Sequence, residues 1–141
     1  MLSIDLLLEN EEEISKDLEE KQKNITIKRF EEKFGKGNGD VTIRTITASE
    51  LFDCQKRSRG KTSDIGGVYN LAKEIIVKGI IYPNLKDEKL LKSRGCHKAV
   101  DAIEKIFKPQ EITDIADEIM DFSDLGDAES RTIKEVDIIK N

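Results

Sequence analysis

Tryptophan is absent from this chain, aromatic residues make up 5% of it, and histidine occurs once. A core without large rings has to be built from aliphatic side chains. The single His97 lies beside Cys96, and neighbours in sequence point in different directions on a helix, so the pair is a poor metal chelate. Nor can a Ser-His-Asp or Cys-His arrangement be argued when nothing identifies an acid to orient that imidazole. Cys54 and Cys96 are the only cysteines, and with no secretory leader in sight they are expected as free thiols in a reducing compartment. Long apolar runs are missing too. No stretch approaches the about 20 residues that cross a bilayer, and Leu6-Leu7-Leu8 meets Glu9, Glu11, Glu12 and Glu13 at once, lacking the basic flank and the length of a signal peptide.

Charge is what the chain has in quantity: 38% of its 141 residues are Asp, Glu, Lys or Arg. That length suits one domain, which should bury about 68–70% of its unfolded surface. The charge is segregated. Residues 1–23 carry eight acids and three bases, residues 109–141 carry ten acids and three bases, and the intervening stretch has eleven acids and eighteen bases. Acidic ends around a basic centre are either solvated faces or a screen that a partner displaces.

The most informative run is Ile65 to Gly95. Ile65, Val68, Tyr69, Ala72, Ile75, Ile76 and Ile80 recur at helical spacing, and Leu71, Val77 and Ile81 widen the apolar face beyond half the girth. Such a helix needs cover from several neighbours and is expected at the centre of the fold, with Pro83 ending it. Asn84 or Asp87 then caps a short helix, DEKLLKSR, which Gly95 closes.

Upstream, Asn24–Phe34 and Asp40–Ile46 alternate apolar and polar residues around GKGNGD, which reads as a β-hairpin with a generous loop. Thr47-Ala48-Ser49-Glu50 fits a capping box opening a helix that ends near KRSRGKTS. Downstream, Ala99, Val100, Ile103, Ile106 and Phe107 follow helical spacing. Pro109 suits the first turn of a further helix, with Glu111 near its positive end and Ile112, Ile115, Ala116, Ile119 and Met120 as its buried stripe. Ile133, Val136 and Ile139 suggest a last helix. In the N-terminal lead, residues 1–23, a short helix over SIDLLLEN precedes EEEISKDLEEKQK, where Ile14 and Leu18 are too few anchors to offset ordering, so this acidic lead is expected to be partly mobile. The fold class is therefore α+β: a mostly helical single domain with an N-terminal β-hairpin.

Candidate sites are few. GKGNGD lacks the Gly-Lys-Ser/Thr ending of a P-loop and joins two strands, so a turn explains it. Asp114, Asp117 and Glu118, with Asp121, Asp124 and Asp127, supply hard oxygen ligands, yet no terminal bidentate Glu completes an EF-hand loop. No metal site and no cofactor is expected. Lys56, Arg57, Arg59 and Lys61 place four cations in six residues. Without interleaved aromatic residues, and on a chain of net charge −5, they read better as a solvated loop or a dock for an acidic protein than as a nucleic-acid site.

Ala72 to Gly95, AKEIIVKGIIYPNLKDEKLLKSRG, resembles the signature of the XkdN-like phage tail assembly chaperones, whose members carry a helix ending in Tyr-Pro-Asp/Asn-Leu-Lys-Asp before a Leu-containing helix. ITIKRF at Ile25–Phe30, IFKPQEI at Ile106–Ile112 and the closing Lys140-Asn141 are similar to further family features, so the resemblance spans 24–141 as one chaperone-like domain. It implies a non-enzymatic protein of a phage, a prophage or a tail-derived bacteriocin with a contractile tail. Such a protein would act in the cytoplasm of the bacterial host, binding the tape measure protein and helping recruit tail tube protein, with no membrane or nucleic-acid partner and self-association open. On that reading the candidate partner-binding residues are Leu6, Leu7 and Leu8 and the basic Lys56, Arg57, Arg59 and Lys61. The alternatives are a small nucleic-acid-binding regulator using the basic loop, or a structural tail subunit.

Overall fold

The computed structural model describes residues 1–58 and 65–126, with Thr132, Lys134 and Val136 beyond them. Two short helices, α1 (Ile4–Glu9) and α2 (Glu11–Leu18), lead into strand β1 (Gln22–Thr26), helix α3 (Lys28–Phe34) and strand β2 (Asp40–Arg44). Helices α4 (Ala48–Ser58) and α5 (Ile65–Gly79), strand β3 (Ile80–Tyr82) and helices α6 (Glu88–Ser93), α7 (Ala99–Ile103) and α8 (Pro109–Phe122) complete it. The result is a mixed α+β domain with one antiparallel sheet of order β1-β2-β3.

Alternation does produce the two N-terminal strands, and they pair antiparallel, Ile25 opposite Val41. Thr26 Oγ1 donates to Asp40 Oδ1 at 2.7 Å and Thr42 Oγ1 to Asn24 Oδ1 at 2.7 Å, which fixes the register. The link between them is not the loop alone. The strand expected to reach Phe34 stops at Thr26, and Lys28–Phe34 coils into α3, whose Phe30 and Phe34 rings stack at 5.8 Å. Two aromatic residues four apart favour a helix, and Phe30 also meets Phe107 edge-on at 6.0 Å, a partner that no local pattern reveals. Gly39 closes this unit. A Cβ there would stand 2.6 Å from both the Glu31 nitrogen and the Ile27 oxygen, so the chain can return to β2 only through glycine.

The central apolar run is also divided. Its helix ends at Gly79 and not at Pro83, because Ile80–Tyr82 leaves as β3, with Tyr82 opposite Thr42 and Ile80 opposite Ile43. β-branched and aromatic side chains suit the pleated edge that β2 offers. Helix α5 packs against α4, α7 and α8. Ile43, Ile76, Ile103, Ile112 and Ile119 are completely buried, Ile115 nearly so, giving the aliphatic core that the composition requires.

Local signals hold closely. The Thr47 amide donates to Glu50 Oε1 at 3.0 Å, and the Glu50 amide to Thr47 Oγ1 at 3.1 Å, forming both arms of the capping box. Asp87 Oδ1 caps α6 by accepting from the Leu90 amide, and Gly95, at φ +67°, closes it. Pro109 opens α8, and Ile112, Ile115, Ala116 and Ile119 form its buried stripe. Of the suggested last helix, Ile133 and Ile139 lie outside the described residues, and Val136 is exposed and not helical.

Candidate partner-docking surfaces

Helix α1 forms from local bonds alone. Ser3 Oγ accepts from the Leu6 amide at 3.2 Å, and Asn10 Nδ2 donates to the Leu6 carbonyl at 2.8 Å. Its substantial contacts are with α2, and neither helix buries a residue. Leu6, Leu7 and Leu8 are 46%, 38% and 59% exposed, alongside exposed Leu2 and Ile4. Five large aliphatic side chains left this exposed in one short segment are an expensive arrangement in water.

The basic cluster is only partly described. Lys56 and Arg57 stand in the last turn of α4, where cations favour the negative end of the helix. Lys56 Nζ lies 4.9 Å from the centre of the Phe52 ring, and Arg57 Nη1 lies 3.9 Å from Glu74 Oε2, so both charges already have intramolecular partners. Arg59 and Lys61 lie outside the described residues. The structure does not bring the basic residues and the α1 leucines into one patch that it describes.

A surface that sequence reasoning missed runs between α5 and α8. It is a groove of about 320 Å³ lined by Val68, Tyr69, Leu71, Ala72 and Ile75 from one side and Thr113, Ala116, Asp117 and Met120 from the other. Ile75 and Ala116 form a buried floor, whereas Val68, expected in the core, is 70% exposed. Asp117 is exposed, yet partial desolvation against the groove pushes its carboxyl above the usual carboxylate range, and Asp121, Asp114 and Glu118 push it further. Nearby, buried Lys73 pairs with Glu104 and lies 5.2 Å from the Tyr69 ring centre. Burial of the Tyr69 phenol raises its pKa as well. The one advance signal was α5 itself, apolar around more of its girth than its neighbours cover.

A second groove, about 450 Å³, lies between β1 and α8, with Ile25, Ile27 and Ile115 among its lining. Arg29 braces it: Nε and Nη2 reach the two Glu111 oxygens at 2.8–3.2 Å, and Nη2 also donates to the Ile106 carbonyl at 2.8 Å. The pair holds the Glu111 carboxyl below its ordinary value, while Glu111 also accepts from the Lys108 amide at 2.8 Å at the start of α8. These bonds fasten α3 to α8, a structural duty.

Gly35 to Gly39 leads from α3 into β2, with no helix start to hold a phosphate. Cys54 is buried, and burial followed by the charge of Glu74 pushes its thiol up to about 11, far from a reactive thiolate at neutral pH. Cys96 is likewise a free thiol. Among the described residues no three metal-ligating side chains gather, and no helix is long and apolar enough to cross a membrane.

Over residues 4–137 the sequence matches the family described as Phage XkdN-like tail assembly chaperone protein, TAC. That match takes in α1, ahead of the motifs that first carry the likeness. No curated protein matches the chain in sequence. Among solved structures the chain resembles the crystal structure of the protein YqbN, with a TM-score of 0.53 and 13% identity over 73% of this chain and 86% of that one, a likeness of fold.

Proposed function

This chain belongs to the phage XkdN-like tail assembly chaperones, and from that premise we propose that it holds the tape measure protein during tail assembly. In this reading it is a holdase without catalytic activity, working in the cytoplasm of the bacterial host for a phage, a prophage or a tail-derived bacteriocin with a contractile tail. Residues 1–23 serve as an arm and residues 24–141 as the body. The arm's aliphatic side chains cover apolar stripes of the client until tail tube protein replaces them. The observation that carries this reading is α1: a capped, preformed helix whose Leu6, Leu7 and Leu8 stay open to solvent.

Co-expression with the tape measure protein of the same gene cluster tests it. The expected result is a higher soluble yield of that protein and a complex that survives moderate salt. Replacing Leu6, Leu7 and Leu8 by Ser should lower recovery while leaving the melting temperature unchanged, since α1 buries nothing. Failure to enrich the tape measure protein, together with salt-sensitive retention on DNA or RNA that needs Lys56, Arg57, Arg59 and Lys61, would replace this reading with that of a nucleic-acid-binding regulator.

A further inference from the structure

The groove between α5 and α8 has the form of a seat for a third helix. Gly79 sets its depth. A Cβ at that position would stand 2.7 Å from Ile119 Cδ1, so the C-terminal half of α5 lies hard against α8. Farther along α5 the described residues no longer fully cover the apolar surface, and Val68 is 70% exposed. Val68, Ala72 and Ile75 make one ridge at i, i+4, i+7 spacing, and Thr113, Asp117 and Met120 make another at the same spacing on α8. Two such ridges with an apolar floor between them match the stripe of an incoming helix, whose own side chains fill the space between rows. An extended segment would fit badly. Both walls are helices whose backbone groups are already bonded, so neither offers the sheet edge that a strand needs, and an occupant has to satisfy its own backbone.

Charge narrows the occupant further. Helix α8, PQEITDIADEIMDF, carries five carboxylates and no cation. Arg29 takes Glu111 and Lys23 takes Glu118, but among the described residues Asp114, Asp117 and Asp121 have no ion-pair partner. Asp117 stands in the groove wall and feels its acidic neighbours, with no cation offsetting them. Across the groove, the charge of Lys73 is already taken by Glu104. The chain's own acidic lead is a poor occupant, because α1 and α2 would bring Glu9, Glu11, Glu12 and Glu13 against this rim.

We infer that this groove receives an amphipathic helix of the client, apolar on the face that enters and bearing Lys or Arg beside that face. The inference rests on the holdase reading and gives it a second contact besides α1. The α1 leucines would grip apolar surface without regard to charge, whereas the groove would choose basic helices.

The test uses the full chain and two synthetic amphipathic helices, each with a leucine face, one flanked by Lys and the other by Glu. Fluorescence anisotropy should show the Lys-flanked helix binding at least about tenfold more tightly than its counterpart. Val68→Ser and Asp117→Lys should each weaken that binding about tenfold, and Asp117→Lys should improve binding of the Glu-flanked helix. Both positions are exposed, so thermal melts should match the parent and folding does not confound the result. Equal binding of the two helices, no binding to the parent chain, or indifference to both substitutions would overturn the inference. A dimer of the parent chain that Val68→Ser dissolves, without peptide binding, would give the groove to a second copy and overturn it too. Capture of the tape measure protein unaffected by either substitution would remove the groove from client binding while leaving the holdase standing. Groove-dependent peptide binding without capture of the tape measure protein would do the reverse, keeping the basic-helix seat and removing that client.

Discussion

Acid should loosen this fold through Glu50, the residue that ties β2 to α4. Arg44, the last residue of β2, donates from Nη1 to Glu50 Oε1 at 3.0 Å and from Nη2 to Glu50 Oε2 at 2.6 Å, while the capping-box amide of Thr47 adds a third bond. The Arg44 hydrogen bond outweighs burial and brings the Glu50 carboxyl down from 4.5 to about 2. The raised pKa of Arg44 expresses the same contact and is counted once. A carboxyl with a lower pKa in the folded chain stabilises it fully above the unfolded value, and that contribution drains away as pH falls from about 5 toward 2. At about 1.4 kcal/mol per pKa unit the interval corresponds to about 3 kcal/mol. The Glu50 side chain is 25% exposed, so solvent screening lowers this to about 2 kcal/mol. Urea unfolding of the parent and of Glu50→Gln, from neutral pH down to about pH 3, measures it. The variant should be less stable by about 2 kcal/mol at neutral pH, and the gap should narrow in acid as the parent loses its charge. Glu111, lowered by Arg29, acts in the same direction in both proteins and cancels from the difference. A gap that stays constant with pH, or is absent at neutral pH, would refute the assignment to the ion pair.

Ile76→Ala should cost about 2–5 kcal/mol in chemical denaturation because Ile76 is completely buried, whereas Ile80→Ala, on a half-covered strand, should cost clearly less. Gly79→Ala should destabilise by about 1–3 kcal/mol although alanine is the better helix former, since its Cβ meets Ile119 Cδ1 at 2.7 Å. Adding Ile119→Ala, which removes Cδ1, Cγ1 and Cγ2 together, should make the double variant more stable than the sum of the single losses predicts; strict additivity would deny the contact. Hydrogen exchange should find the amides of α1 and α2 weakly protected and those of Ile112, Ile115 and Ile119 in the slowest class, as neither lead helix buries a residue.

What the sequence disclosed depended on how far apart the interacting partners lie. Thr47 with Glu50, Asp87 with Leu90 and Pro109 at the head of α8 are settled within a helical turn, and each stands as the residue pattern implies. Ile80–Tyr82 and Lys28–Phe34 answer instead to partners far along the chain. The edge of β2 draws Ile80 and Tyr82 out of the helical pattern that they continue, and Phe107 receives the ring of Phe30 from a helix that alternation alone would make a strand. Leu6, Leu7 and Leu8 are followed at once by acids, and their exposure in α1 rests on that local sequence alone. The groove was not legible, because apolar spacing along α5 reports what side chains could be buried and says nothing of whether enough neighbours exist. Its neighbours α4, α7 and α8 cover Ile75 and Ile76 and leave Val68 mostly open. A residue whose pattern demands burial and whose surroundings deny it is therefore the signal to follow. On this chain it leads to the wall of an apolar groove rimmed by Asp117, where a partner can supply the missing cover.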